Sequence, residues 1–100
     1  MTENMMNTHT SPHLTNPRFT EIAEGTARRQ NEGVLDAYFE AAKKAAEENG
    51  VRVCDCYTKW KAMHALGVNT TELLSNYINH PIRELHCLFA ASLLETMLDL

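Results

Sequence analysis

The carboxyl-terminal stretch constrains this chain more than any other. From Pro81 to Asp99, the residues Ile82, Leu85, Cys87, Leu88, Phe89, Ala90, Ala91, Leu93, Leu94, Met97 and Leu98 leave only a narrow polar stripe around Glu84, Ser92, Glu95 and Asp99. A helix so apolar around its circumference needs cover on more than one side. Pro81 suits its first position, because proline fixes φ near the helical value and lacks an amide that would go unbonded there. His80 then falls at the N-cap or just before it. The amides and dipole of that first turn would disfavour a charged imidazole and leave a neutral ring able to act as a general base. The plainer alternative is a loop histidine that only packs or caps.

A chain of 100 residues fits one small domain over residues 1–100 and is too short for two. Residues 1–20 mix Thr, Asn, His and Ser with Pro12 and Pro17 and read as mostly loop. A short helix is expected over 20–29, weakened by Gly25. Over 34–49 the signal strengthens: Val34, Leu35, Tyr38, Ala41, Ala42, Ala45 and Ala46 recur at helical spacing, and Gly50 is the expected residue after the helix end. Residues 51–57, Val51-Arg52-Val53-Cys54-Asp55-Cys56-Tyr57, are β-prone and follow directly, so they read as a strand. Trp60, Met63 and Leu66 suggest another short helix with a core face, ended by Gly67, and Asn69, Thr70 and Thr71 cap a further turn. A helix, glycine turn and strand in that order is half of a βαβ unit. The fold class expected is therefore α/β, mostly helical, with one or two parallel strands and too few strands to stand alone.

The formal charge of −4 argues against a general nucleic-acid binder, and Lys43 and Lys44 sit among Glu40, Glu47 and Glu48 as an ordinary solvated face. No run approaches the ~18 consecutive apolar residues of a transmembrane helix, and the polar start Met1-Thr2-Glu3-Asn4 is unlike a signal peptide. Three cysteines without framework spacing suit a reducing compartment, hence the cytoplasm. Cys54 and Cys56 could be imagined with His80, His86 and Cys87 as a zinc site, but a Cys-x-Cys within a strand is not the usual ligand spacing, and buried thiols are the expectation. No metal or cofactor is therefore assigned. Ser11, Ser75 and Ser92 lack the strand-to-turn context of an activated nucleophile, and His9 and His13 are given no role. Asp55 sits near the carboxyl end of the expected strand, where open α/β sheets place catalytic groups; solvent exposure or a cap for Thr58 is the alternative.

Taken in order, the Val34-Leu35-Asp36-Ala37-Tyr38 helix, Gly50, the strand ending Val53-Cys54-Asp55-Cys56-Tyr57, Lys59-Trp60, and Asn79-His80-Pro81 opening the last helix resemble the second half of an SGNH hydrolase, the GDSL lipase/esterase family. Met5-Met6-Asn7-Thr8 resembles the end of a central strand of that fold. The resemblance implies a partial flavodoxin-like three-layer α/β/α sandwich and metal-free hydrolysis of acyl esters on small molecules or carbohydrates. A serine in a Gly-Asp-Ser segment would be the nucleophile and His80 its base. The Gly-Asp-Ser segment and the oxyanion-hole glycine and asparagine have no counterpart in these residues. The family's aspartate three residues before the histidine is replaced here by Tyr77, so either a serine–histidine dyad operates or another carboxylate, Asp55 or Glu84, supports His80. On this reading the chain carries the base without the nucleophile, is silent alone, and has as partner the amino-terminal half of the hydrolase. The competing expectation is a small helical interaction or dimerisation module; residues 51–57 separate the two, as a strand or as a loop between packed helices.

Overall fold

Asn16 and Pro17 start the first helix. In the computed structural model, which describes residues 1–99, the Asn16 side-chain oxygen accepts from the Arg18 amide at 3.0 Å and Pro17 takes the first turn of α1, Pro17–Asn31. The helix is longer than its glycine suggested. Its buried stripe is Ala23, Ala27 and Gln30, spaced at one side of the helix. Gly33, at φ 82°, turns the chain into α2, Val34–Glu48. The buried residue of α2 is Phe39, which the periodicity did not single out; Leu35 packs beside it, while Val34 and Tyr38 face solvent. Gly50, at φ 66°, follows α2 as expected.

Residues 51–54 carry no regular secondary structure, and the strand expected over 51–57 does not form. Asp55 is the N-cap of α3, Cys56–Ala65, so helix replaces the last two positions of the β-prone run. Only one bridge remains here, parallel between Thr2 and Asp55; a second isolated bridge, antiparallel, joins Leu74 and Pro81. The described residues therefore form a helical domain without a sheet, and the α/β sandwich is corrected to an all-helical arrangement. A single pair of short extended segments is marginal in water, and burial falls to the helices instead.

The carboxyl-terminal helix also begins later than expected. Pro81 is held in its bridge by the Ile82 amide donating to Leu73 O at 2.9 Å and the Ser75 amide donating to His80 O at 2.6 Å. A 3-10 turn over Arg83–Leu85 precedes α4, His86–Leu98. Of α4, Leu88 and Phe89 pack on the core, whereas Leu93, Leu94, Met97 and Leu98 are exposed. The core itself is Met5, Phe39, Tyr57, Trp60 and Leu74, with Leu35, Met63, Leu73 and Leu85 around it; Leu66, expected in it, lies on the surface. The radius of gyration, 14.5 Å, exceeds the ~13 Å typical of a compact chain this long.

The loop expected over residues 1–20 ends at Asn16, where α1 begins, and the strand end that Met5-Met6-Asn7-Thr8 resembled does not form; residues 1–16 instead thread the interior without helix or strand. Thr2, Met5, Asn7 and Ser11 are buried. Met6 N donates to Gln30 Oε1 at 2.9 Å, Asn7 Nδ2 donates to Ala23 O at 2.8 Å, and the Thr26 hydroxyl donates to Asn7 Oδ1. Gln30 Nε2 completes the link by donating to the Tyr57 hydroxyl at 2.7 Å, which donates in turn to Asp36 at 2.6 Å. Burial and the Asp36 bond push the Tyr57 phenol up.

At Gly33 an added Cβ would meet only Asp36 Oδ2, at an ordinary 3.8 Å. The cost of Gly33→Ala is thus backbone alone, and urea unfolding should show a loss of about 1–2 kcal/mol, the usual left-handed penalty.

Candidate functional site: the His80 loop

His80 sits in a loop between two ordered turns. The 3-10 turn Thr70–Leu73 leads in, and the Leu74–Pro81 bridge closes the loop at its base. Within it, Asn76 Oδ1 accepts the amides of Ile78, Asn79 and His80 at 3.1, 3.0 and 2.9 Å. One side chain thus satisfies three successive donors, the mechanism by which asparagine stabilises turns. Ser75 adds a hydroxyl bond to His80 O at 3.2 Å. Tyr77 is held at φ 59°, a left-handed conformation that a bulky residue adopts only when its surroundings impose it.

Two bonds from the amino-terminal segment place this loop against the helices. Asn7 N donates to Ile78 O at 2.9 Å, and Asn4 Nδ2 donates to Asn79 O at 3.0 Å. Beside these ties opens a cleft of about 310 Å³ lined by Glu3, Asn4, Met6, Leu35, Asn79, His80 and Pro81. The imidazole of His80 is exposed at this cleft, and among the described residues its ring nitrogens have no hydrogen-bond partner. The expected helix mouth beside it is absent, since α4 opens only at His86. Sequence reasoning gave no role to Asn76, although an asparagine a few residues before a His-Pro pair is a turn signal. Glu3 and Asn4 carried no signal, because they reach the cleft from the far end of the chain.

Asp55 is elsewhere and fully engaged. Its Oδ1 accepts from the Thr2 hydroxyl at 2.7 Å and the Thr58 amide at 3.2 Å; its Oδ2 accepts from the Thr58 hydroxyl at 2.6 Å and Lys43 Nζ at 3.0 Å. Desolvation by burial raises its pKa, but the bonds from Thr58, Thr2 and Lys43 outweigh it and hold the carboxyl well below the usual carboxylate range. The capping alternative describes this residue, and the structure does not bring Asp55 to His80.

The three serines are also committed within the chain. Ser11 donates to Glu72 at 3.0 Å, Ser75 to His80 O, and Ser92 to Leu88 O at 2.7 Å while accepting from Lys59 at 2.7 Å. No serine hydroxyl bonds an imidazole among the described residues, so no nucleophile–base pair is assembled here. Cys54 and Cys56 are buried as expected, their sulfurs 3.9 Å apart; burial, then the neighbouring Cys54, push the Cys56 thiol up. Among the described residues no three His, Cys, Asp or Glu side chains converge as a metal site, and no helix is long and apolar enough to cross a membrane. Comparison of the chain with models of known families, with curated proteins and with solved structures finds no match.

The depressed Asp55 pKa fixes a pH signature. A lowered folded-state pKa contributes stability above the unfolded value, near 3.8, and that contribution is lost as pH falls through the folded value. Asp55→Ala should therefore lower the unfolding free energy at pH 7 by about 1–2 kcal/mol, as for other lost N-caps. In a pH series of denaturant titrations the gap between parent and variant should narrow steadily once the pH drops below the ordinary aspartate range.

Proposed function

We propose that this chain is the histidine-bearing portion of a serine esterase resembling the SGNH hydrolases, with His80 as general base for acyl ester hydrolysis. The observation that carries the reading is the exposed imidazole of His80, unbonded at its ring nitrogens, at a polar cleft on a loop braced by Asn76. A general base must reach a proton that arrives from outside, and the His80 ring opens on the cleft. The strand over 51–57 that would have favoured this reading over a helical module does not form, so the reading stands on the His80 loop alone and claims no sandwich fold.

In this mechanism His80 takes the proton of a serine hydroxyl supplied by the polypeptide that precedes this chain in the whole enzyme. The serine attacks the ester carbonyl, the alcohol leaves with that proton, and His80 then activates water to release the acid. Asp55 is bound up in capping α3, so the dyad, or Glu84, remains the support for the base. The partner is the serine-bearing half of the hydrolase, the substrate an acyl ester of a small molecule or carbohydrate. Three free thiols, one of them the exposed Cys87, suit a reducing compartment, and cytoplasm is the proposed location.

The purified chain should hydrolyse p-nitrophenyl acetate no faster than its His80→Ala variant. A fluorophosphonate probe should label none of Ser11, Ser75 or Ser92. The frame immediately upstream in the gene should encode Gly-Asp-Ser, and His80→Ala in that longer product should lower kcat by roughly 10²–10⁴-fold. Labelling of a serine in this chain, or an upstream frame without the motif, contradicts the assignment.

A second reading, a helical dimerisation module, is favoured by a different observation. Leu93, Leu94, Met97 and Leu98 leave one side of α4 apolar and exposed, and residues 51–55 join packed helices without a sheet. A second copy would cover that side. On this reading sedimentation equilibrium shows a dimer that Leu94→Glu dissociates; a monomer throughout the micromolar range excludes it.

A further inference from the structure

We propose that Cys54 and Cys56 are a reversible dithiol–disulfide pair, oxidised by low-molecular-weight disulfides, whose closure loosens the grip of residues 54–57 on Thr2. The inference is independent of the hydrolase reading. Both thiols are free and buried, and their sulfurs lie 3.9 Å apart. Asp55 between them has φ −96° and ψ 81°, near the about −75° and +65° of an inverse γ-turn. Such a turn draws its two end residues together, and a disulfide needs their Cα atoms ~4.4–6.8 Å apart.

The surroundings of Cys56 suit thiol exchange. It is the first residue of α3, with Lys59 one turn further on. Burial and the Cys54 thiol push its own thiol up, while the Ser92 hydroxyl and the Lys59 charge favour the thiolate. Lys59 Nζ donates to Ser92 Oγ at 2.7 Å, so these two groups act as one arm. In the exchange, one thiol of the pair gives up its proton and attacks a sulfur of the small disulfide, whose S–S bond breaks to release one small thiol carrying that proton. The second thiol then attacks the mixed disulfide, the second small thiol leaves with its proton, and the Cys54–Cys56 bond forms. The pair loses two electrons and two protons, and the small disulfide gains them. A ring closed over one intervening residue is strained, and strained disulfides are the labile, regulatory ones.

Closure acts where the amino-terminal segment is held. The sulfurs must approach from 3.9 Å to a bond of about 2.05 Å, and that movement falls on residues 54–56. The same segment grips Thr2 at three points: Thr2 N donates to Cys54 O at 2.9 Å, the Thr2 hydroxyl donates to Asp55 Oδ1 at 2.7 Å, and the Tyr57 amide donates to Thr2 Oγ1 at 3.0 Å. Asp55 Oδ1 also accepts the Thr58 amide that it caps. Oxidation is therefore transmitted to Thr2 and to the start of α3 together. Burial slows the pair relative to the exposed Cys87, whose thiol donates to Glu84 O at 2.9 Å and which serves as an internal marker of ordinary thiol oxidation.

Equilibration of the folded, ¹⁵N-labelled chain in buffers of bis(2-hydroxyethyl) disulfide and 2-mercaptoethanol tests this, read by mass spectrometry of acid-quenched peptides and by two-dimensional NMR. As the disulfide share rises, the peptide holding Cys54 and Cys56 should lose two hydrogens and retain no adduct, whereas Cys87 should carry a hydroxyethyl adduct. The amides of Thr2, Tyr57 and Thr58 should shift in step with that loss, in a spectrum that stays dispersed, and dithiothreitol should return them. Cys54→Ser and Cys56→Ser should each abolish the loss of hydrogens and the shifts, and Cys87→Ser should leave both in place. The parent-chain readouts decide the matter whether or not the serine variants fold. A pair still reduced after Cys87 is fully converted, separate adducts on Cys54 and Cys56, closure only with collapse of the spectrum, or closure with Thr2, Tyr57 and Thr58 unmoved would each overturn the proposal.

Discussion

The hydrogen bonds that clamp residues 2–8 among the helices are what the remainder of the structure depends on. Thr2 N reaches Cys54 O, Met6 N reaches Gln30, Asn7 N reaches Ile78 O, and Thr8 N reaches Thr71 Oγ1, all at 2.9 Å. These partners come from the connector before α3, a helix, a loop and a 3-10 turn. Each bond is worth only about 0.5–1.5 kcal/mol net, but withdrawing the segment would strand buried polar groups at about 1–3 kcal/mol each. Asn7 and Gln30 are such groups, and Met5 would leave a void in a small apolar cluster. The domain is thus held as much by polar satisfaction around an extended strap as by helix packing.

The strap also determines what reaches the cleft. Asn4 and Asn7 fasten the His80 loop, and Glu3, one residue before Asn4, lies on the cleft wall. At its other end Thr2 bonds the Asp55 carboxylate that caps α3. The two carboxyl and imidazole groups that chemistry would pair are therefore fixed at separate points of one strap. Among the described residues, neither a serine hydroxyl nor a carboxylate bonds the His80 ring.

Local signals were legible where local energetics decide. Gly50 and Gly67 end helices as their positions suggested, Asp55 caps as aspartates do, and Cys54, Cys56, Tyr57 and Trp60 are buried. The failures share a cause in long-range pairing. Pro81 had the mark of a first helical position, but the bridge to Leu74 claims it and postpones α4 to His86. Residues 51–55 had a strand's composition but found one bridging residue, Thr2, instead of a neighbouring ladder. Phe39 went unnoticed because the packed side of α2 includes Asp36 and Lys43, whose charges are spent on Tyr57, Lys61 and Asp55. The polar leading segment gave no hint of an interior position, since its burial is supported by hydrogen bonds and not by hydrophobicity. Of the candidate loop, the sequence singled out His80; its bracing by Asn4, Asn7 and Asn76 required the folded chain.

Segments without helix or strand ordinarily exchange their amide hydrogens fast, so native-state hydrogen exchange at Met6 and Asn7 tests the strap most directly. If residues 2–8 hold the helices and the His80 loop together, both amides exchange only through global unfolding, as slowly as the core amides of α3. Exchange at these positions as fast as in a free peptide, with the α3 amides still protected, would contradict the account.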